Sequence, residues 1–338
     1  MEEVFRKAVA HNEASRKASV SWKPDQPHEQ AYYLYDDATK SWTSHEAGKS
    51  VPNSSQEKTA QSVIDRLALY AWNIDFMLPY PTSRMEIGLE TLANLTSQVP
   101  ENTAVVIFLQ ECIASDLETI ANTPWVRERF AMTDLTSQNW ASGHYGTTML
   151  VDRRLLPLEA VFRVHYSKTR MERDAFFVDF LLQGKKVRLC NSHLESLDMM
   201  PPYRPPQVEL MGRYLAEDDV QAGIAAGDFN AIQDFDRTLH SDNGFKDAYL
   251  ELGGQEDSEE GYTWGQQAAT SLRERFGCSR MDKVFFCGAL ELKSFERFGQ
   301  DVQLDSPTER DDIVELGFDK PWITDHMGIK AEFEIIKS

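Results

Sequence analysis

From Leu67 onward the chain alternates short apolar runs with polar breaks: "LALYAWNID", "AVVIFLQE", "GTTMLVD", "DAFFVDFLLQG", "KVRLCNSHL", "GIAAGDFN", "MDKVFFCG" and "MGIKAEFEII". Runs of this length, rich in β-branched and aromatic residues, predict strands. Between several of them the spacing becomes helical. In "TSRMEIGLETLANL" Met85, Leu89 and Leu92 share one face, with Ser83 and Glu86 placed as a capping box, and "PPQVELMGRYLAED" repeats the period. Neighbouring runs such as "DAFFVDFLLQGKKVRLCNSHL" read as hairpins, so the sheets are expected to be largely antiparallel. Two such sheets packed face to face with helices outside make a four-layer α/β sandwich, an α/β fold.

Residues 1–62 have a different texture: a charged helical start, then "SWKPDQPHEQAYYLYDDATKSWTSHE", then the polar linker "AGKSVPNSSQEKTAQS". They are expected to form an extension, either partly disordered or a short hairpin packed on the main domain, with residues 63–338 as the catalytic domain. Trp22, Tyr33 and Trp42 are spaced somewhat as in a WW module, but the terminal proline of that pattern is missing. The run "GGQEDSEEGY" reads as a solvated acidic loop.

Composition narrows the function. With 35 Lys and Arg against 54 Asp and Glu, the net charge is −19, which opposes nonspecific adhesion to nucleic acid and confines any such contact to a local site. Cys112, Cys190, Cys278 and Cys287 are scattered without a CxxC pair, so they are expected as free thiols rather than a zinc site or disulfide framework. No apolar stretch is long enough to span a membrane, and the start lacks a signal-peptide centre, which leads us to expect a soluble intracellular chain, and we expect a monomer.

Candidate chemistry sits at the ends of the strands. Asn73, Glu111, His193, Asp228 with Asn230, and Asp325 with His326 are polar residues that apolar strands have no packing reason to carry. Alone, each is a common turn former; together they suggest one site. Glu111 is a hard oxygen ligand suited to Mg²⁺ or Mn²⁺, with Asn73 and Asp325 beside it. Asp228 would position and deprotonate a water, Asn230 would assist it, and His193 and His326 would donate to phosphoryl oxygens. Asp282 is the candidate carboxylate partner for a buried histidine. Trp264 can stack a base or pack in the core, and Tyr145 has the same two readings.

Taken in order, the blocks WN, LQE, HLES, GDxN and [ST]DH resemble the exonuclease, endonuclease and phosphatase superfamily over roughly Leu67 to Ile336. More narrowly, "WNID", "RM" opening the next helix, "IFLQE", "SHLES", "GDFN", "FKDAYLELG", "YTW", "RMDKVFF" and "TDHMGI" resemble the tyrosyl-DNA phosphodiesterases that act on 5′ ends. That resemblance implies a Mg²⁺-dependent hydrolase releasing tyrosine from DNA 5′ phosphates, as left by trapped topoisomerase II, and so a nuclear repair enzyme, with the cytoplasm as a second compartment. It also implies catalytic or metal-binding roles for Asn73, Glu111, Asp228, Asn230 and His326, phosphate contacts for His193 and Ser196, and a channel-lining role for Trp264.

Two departures stand against it. Leu197 and Asp198 follow "HLES", and Ala231, Ile232 and Gln233 follow Asn230, where the family tends to place arginines. Arg173, Arg204, Arg273 and Arg275 are the candidates to compensate, Arg173 and Arg204 being assigned here to substrate. Two alternatives follow: a related phosphodiesterase or phosphatase acting on RNA or small phosphoesters, and a nonenzymatic binding protein on the same fold.

Overall fold

The structure, a computed structural model, describes residues 22–49 and 64–336. The charged helical start and most of the polar linker lie outside these residues. In chain order the strands are β1 (Pro27–Glu29), β2 (Tyr32–Asp36), β3 (Ser41–His45), β4 (Arg66–Asn73), β5 (Thr103–Cys112), β6 (Phe130–Met132), β7 (Gly146–Asp152) and β8 (Leu158–His165). They continue as β9 (Asp174–Leu182), β10 (Lys185–Ser192), β11 (Ala222–Asp228), β12 (Lys246–Asp247), β13 (Asp282–Gly288), β14 (Leu290–Phe298) and β15 (Gly328–Ile335). The longer helices are α1 (Pro81–Thr96), α2 (Ala114–Asn122), α3 (Arg204–Leu215) and α4 (Pro307–Glu315).

One sheet has the order β1-β8-β9-β10-β11-β13-β12 and the other β14-β15-β4-β5-β7-β6-β2-β3. Each is antiparallel except for one pair, β10 with β11 and β4 with β5. A parallel pair needs a crossover connection, and α3 and α1 supply it, one on each outer face. This topology places the site. The parallel strands end together, at Asn73, at Glu111 near the end of β5, just before His193, and at Asp228. The antiparallel β13 and β15 begin at that same end, with Asp282 opposite Asp228.

Three apolar clusters fill the three gaps between four layers. Leu67, Leu69, Ala71 and Phe108 meet Phe176, Val178, Phe180 and Ile224 between the sheets. The opposite faces of β4 and β5, with Tyr70, Trp72 and Ile107, pack against Met85, Leu89 and Leu92 of α1. Phe177, Cys190 and Ala225 pack against Val208, Met211 and Leu215 of α3. The four-layer α/β sandwich expected from the alternating pattern is therefore the fold.

The capping box expected at Ser83 and Glu86 does not form. Helix α1 starts two residues earlier, with Pro81 in its first turn and Tyr80 as the preceding cap in left-handed backbone. Ser83 Oγ instead donates to Glu309 Oε1 at 2.8 Å. Within the N-terminal segment, β1 pairs with β8 and the β2/β3 hairpin joins the far edge of the other sheet through Tyr33 opposite Met132. Gln30, between them, accepts from the fully buried Arg163 at 3.0 Å and donates to Thr133 O at 2.8 Å.

Candidate active site

The turn after β11 determines much of the geometry. Gly227 has φ +136°, and a Cβ there would lie 2.2 Å from Ser192 O, so the backbone of β11 can hug β10 only with glycine at this place. Asp228 is thereby carried into a buried setting of donors. Its Oδ1 accepts from Asn230 N–H at 2.8 Å, and its Oδ2 accepts from Asn73 Nδ2 at 3.0 Å and lies 3.2 Å from His193 Nε2. Asn230 Nδ2 donates to Leu194 O at 3.1 Å.

The two histidines are held in different states. Arg173 Nη1 lies 2.7 Å from His193 Nδ1. A guanidinium can only donate, so His193 Nδ1 is the acceptor and the ring's proton sits on Nε2, facing Asp228 and, at 3.7 Å, Glu111. His326 has the opposite partner: its Nδ1 is 2.8 Å from Asp282 Oδ2, and its Nε2 faces Asp228 at 3.7 Å and Asp325 at 3.8 Å. Burial would lower the His326 pKa, but Asp282, Asp228 and Asp325 together raise it well above its usual value, which makes it an imidazolium. Burial would likewise raise the Asp228 pKa, yet His326 and the His193 hydrogen bond hold that carboxyl well below the usual range. Burial pushes Asp282 up, against the pull of His326.

Beside this relay lies a second set of carboxylates. Glu111 and Asp75 occupy left-handed backbone, at φ +58° and +56°, as does Asn230 at +47°. Non-glycine residues hold such conformations where the surroundings over-determine them, and sites are where this is common. Glu111 Oε2 accepts from Phe76 N–H at 3.0 Å, Asn73 Oδ1 accepts from Asp75 N–H at 2.9 Å and Asp75 Oδ1 accepts from Met77 N–H at 2.9 Å, so the turn after β4 is tied both to Glu111 and to itself. Burial, Asp325 and Glu111 push the Asp75 carboxyl up to about 8, and burial raises Asp325 as well. Arg84, the arginine of the "RM" pair, opposes that rise but commits its hydrogen bonds to the carbonyls of Pro79, Ile74, Ile323, Asp75 and Leu78. Acidic oxygens that repel one another in this way fit a hard divalent cation. Asp228, Asp282 and His326 also bring ligand atoms within 4.8 Å of one another. The short Asp282–His326 bond engages that ring, so this trio also reads as a charge relay, and the mutually repelling Glu111, Asp75 and Asp325 are a second candidate cation set.

A cleft of about 550 Å³ opens over these groups, lined by Asp75, Glu111, Arg173, His193, Asp228, Asn230, Asp325 and His326, with Ser196 and Trp264 on its walls. Trp264 Nε1 donates to Asp325 Oδ2 at 2.7 Å, which ties an aromatic face to a carboxylate. Tyr145 lies behind His193, stacked on Phe76 at 4.2 Å and beneath the Arg173 guanidinium at 5.2 Å. Arg204 is not a substrate contact. It is buried, bidentate to Asp236 at 2.8 Å, and bonded to Gln233 Oε1 and to the carbonyls of Glu195 and Leu197, so no donor faces the cleft. Arg273 pairs with Asp319 at 2.7 Å and Arg275 lies over Phe276 at 4.8 Å; neither lines the cleft.

Residues 70–326 match the endonuclease/exonuclease/phosphatase family. The chain belongs to that family. It is similar to human tyrosyl-DNA phosphodiesterase 2, at 26% identity over 244 residues, covering 70% of this chain and 62% of the relative. The Xenopus tropicalis protein of the same name is 25% identical over 268 residues, covering 78% of this chain and 65% of the relative. The chain thus spans somewhat under two thirds of the length of both relatives. Among solved structures, humanized D. rerio TDP2 superposes with a TM-score of 0.60 at 21% identity, covering 80% of this chain and 99% of that one. D. rerio TDP2 complexed with a single-strand DNA product gives 0.59 at 19% identity, with the same coverage. These likenesses establish the shared fold.

Within this family fold, several participants lie in or near the quoted sequence blocks but were not singled out as site residues. Asp75 sits two residues after Asn73 in "WNID", so period-two spacing could have singled it out. Thr324 Oγ1 donates to Asn73 O at 2.8 Å and accepts from His326 N–H at 3.2 Å, joining β4 to the turn before β15. The acidic "GGQEDSEEGY" run is not simply solvated. Glu256 pairs with Arg280 and, at 2.9 Å, with the buried Lys283, and Glu256 and Asp257 both line the cleft.

Proposed function

We propose that this chain is a Mg²⁺-dependent phosphodiesterase that hydrolyses the 5′-phosphotyrosyl bond of DNA–protein adducts such as trapped topoisomerase II, working in the nucleus as a monomer in DNA repair. The observation that carries the reading is the junction, at one end of the cleft, of the Asp228 relay with the carboxylates of Glu111, Asp75 and Asp325. The similarity to tyrosyl-DNA phosphodiesterase 2 supports the choice of substrate.

Glu111, Asp75 and Asp325 would hold the cation, with the Asn73 side chain alongside. Bound there, Mg²⁺ or Mn²⁺ would neutralise phosphoryl oxygens and offset charge on the leaving oxygen. Asp228, its pKa held down by two imidazoles, is a weak base; it aims a water at phosphorus and takes up the proton as the new bond forms. His193 offers its Nε2–H, and His326 its cationic Nε2–H, to nonbridging oxygens as they gain charge. Asn230 keeps a second amide hydrogen for the same purpose. Asp282 is a positioning residue that keeps His326 charged. A tyrosine phenol, with a pKa near 10, departs more readily than a sugar alcohol, which favours aryl leaving groups. Trp264 offers a face for the terminal base.

The deciding experiment compares turnover of a 5′-phosphotyrosyl oligonucleotide with a 3′-linked one, an unmodified strand and a small aryl phosphodiester. The 5′ adduct should have the highest kcat/KM, and Trp264→Ala should narrow its lead over the small ester by about 1 to 3 kcal/mol. A second reading, a phosphodiesterase acting on RNA or small phosphoesters, is favoured by the −19 charge and the acids lining the cleft. Equal efficiency on the small ester, unmoved by the Trp264 substitution, would select it.

A further inference from the structure

The cleft is poor in cations free to meet a nucleic-acid strand. Among the described residues four arginine and lysine side chains line it, beside the site histidines: Arg173, Arg237, Arg280 and Lys283. Arg173 is buried on His193. Arg280 is buried and bidentate to Asp247 at 3.0 and 2.8 Å, and Lys283 is buried on Glu256 at 2.9 Å. Arg237 differs from them. Its side chain is 47% exposed, its Nη2 lies 2.6 Å from Asp257 Oδ2, and its Nε lies 3.7 Å from Asp234 Oδ1. An ion pair as exposed as this one is weak and exchanges readily for another anion.

Around Arg237 the cleft wall is apolar rather than basic. Leu197, Ile232 and Phe276 are 49%, 42% and 57% exposed, an unusual exposure for large apolar side chains, and all three line the cleft with Trp264. Such walls accept base or ribose faces and make no ionic contact. Leu197 and Ile232 also lie in the two stretches that carry no arginine, 196–198 and 231–233.

We propose that Arg237 is the specificity-determining contact for the second phosphate of the substrate strand, that it must leave Asp257 to make that contact, and that the ionic footprint on the strand ends there. The inference rests on the DNA-end reading above and adds a footprint to it. Each phosphate neutralised on a single strand contributes about 0.7 to the slope of log affinity against log salt. One contact therefore gives a shallow dependence, whereas an enzyme that grips several phosphates has a steep one.

The test measures kcat/KM for a series of 5′-phosphotyrosyl substrates from mononucleotide to octanucleotide, between about 50 and about 300 mM salt. Efficiency should rise when the second phosphate is added and not beyond it, with a salt slope of about −0.7. Arg237→Ala should remove that rise and flatten the slope, lowering oligonucleotide efficiency more than mononucleotide efficiency. Asp257→Asn should raise dinucleotide efficiency by up to about fivefold, and the gain should vanish in the Arg237→Ala, Asp257→Asn double variant. A gain that persists in the double variant, a slope steeper than about −2, or an oligonucleotide preference untouched by Arg237→Ala overturns this inference while leaving the DNA-end reading standing. Cleavage of the small aryl ester with no tyrosyl oligonucleotide turned over overturns both.

Discussion

Replacing Asp228 by asparagine is nearly isosteric, and on shape alone it would remove the base and leave the fold intact. The hydrogen bonds say otherwise. The carboxylate accepts on both oxygens, from Asn230 N–H at 2.8 Å on one side and from Asn73 at 3.0 Å, with His193 at 3.2 Å, on the other. An amide has one oxygen. If it faces Asn73 and His193, its NH₂ is turned on the Asn230 N–H; if it faces Asn230, two buried donors lose their acceptor. The better orientation still orphans one buried donor, at a cost of about 1–3 kcal/mol. For a domain of this size that lowers the melting temperature by roughly 1.5 to 5 °C. The pH dependence has a definite sign. Because the folded pKa of Asp228 is depressed, its stabilisation is present above the unfolded value of about 3.9 and is lost as pH falls through the folded value. The gap between wild type and variant should therefore be full at neutral pH and shrink in acid. Calorimetry across pH, paired with kcat on an aryl phosphodiester, reads both effects, kcat falling by roughly 10²-fold or more. An Asp228→Asn protein that melts with wild type at pH 7 would show that the carboxylate does not serve both sets of donors, and near-normal kcat would remove it from the mechanism.

Glu111→Gln should abolish turnover and also the rise in melting temperature that Mg²⁺ gives the wild type, and chelator should stop wild-type turnover; a metal-induced shift that survives the substitution would place the cation elsewhere. Asp282→Asn removes the foremost of the carboxylates that raise the His326 pKa, so the imidazolium should be lost at lower pH and the alkaline limb of the kcat profile should move down, an unchanged profile counting against the relay. Arg204→Met leaves Asp236 without its guanidinium in a buried site, so it should cost about 3–5 kcal/mol of stability with KM little changed. A raised KM at normal stability would restore Arg204 to the substrate.

Much of this protein can be read from residue order alone, because period-two patterning and strand-end polarity are local properties. Every run from "LALYAWNID" to "MGIKAEFEII" is a strand, and Met85, Leu89 and Leu92 are the buried face of α1. Asn73, Glu111, His193, Asp228 and His326 stand out because burial at a strand end leaves a polar side chain few structural uses. The weaker signals misled where the partner was distant in sequence. Ser83 carries a capping pattern, but Pro81 starts the helix and Glu309, 226 residues away, takes the hydroxyl. Arg204 resembles a substrate arginine until Asp236 closes around it, and the acids at 256 and 257 resemble a solvated loop until Arg280, Lys283 and Arg237 come to meet them. The protonation states depend on contacts of the same kind. Along the chain His326 has Asp325 beside it, but nothing there shows that His193 receives a guanidinium or that His326 receives the distant Asp282 carboxylate. Those partners meet only when β9, β10, β13 and the turn before β15 are folded together, since a side chain answers to the charges within a few ångströms in space, whatever their separation along the chain.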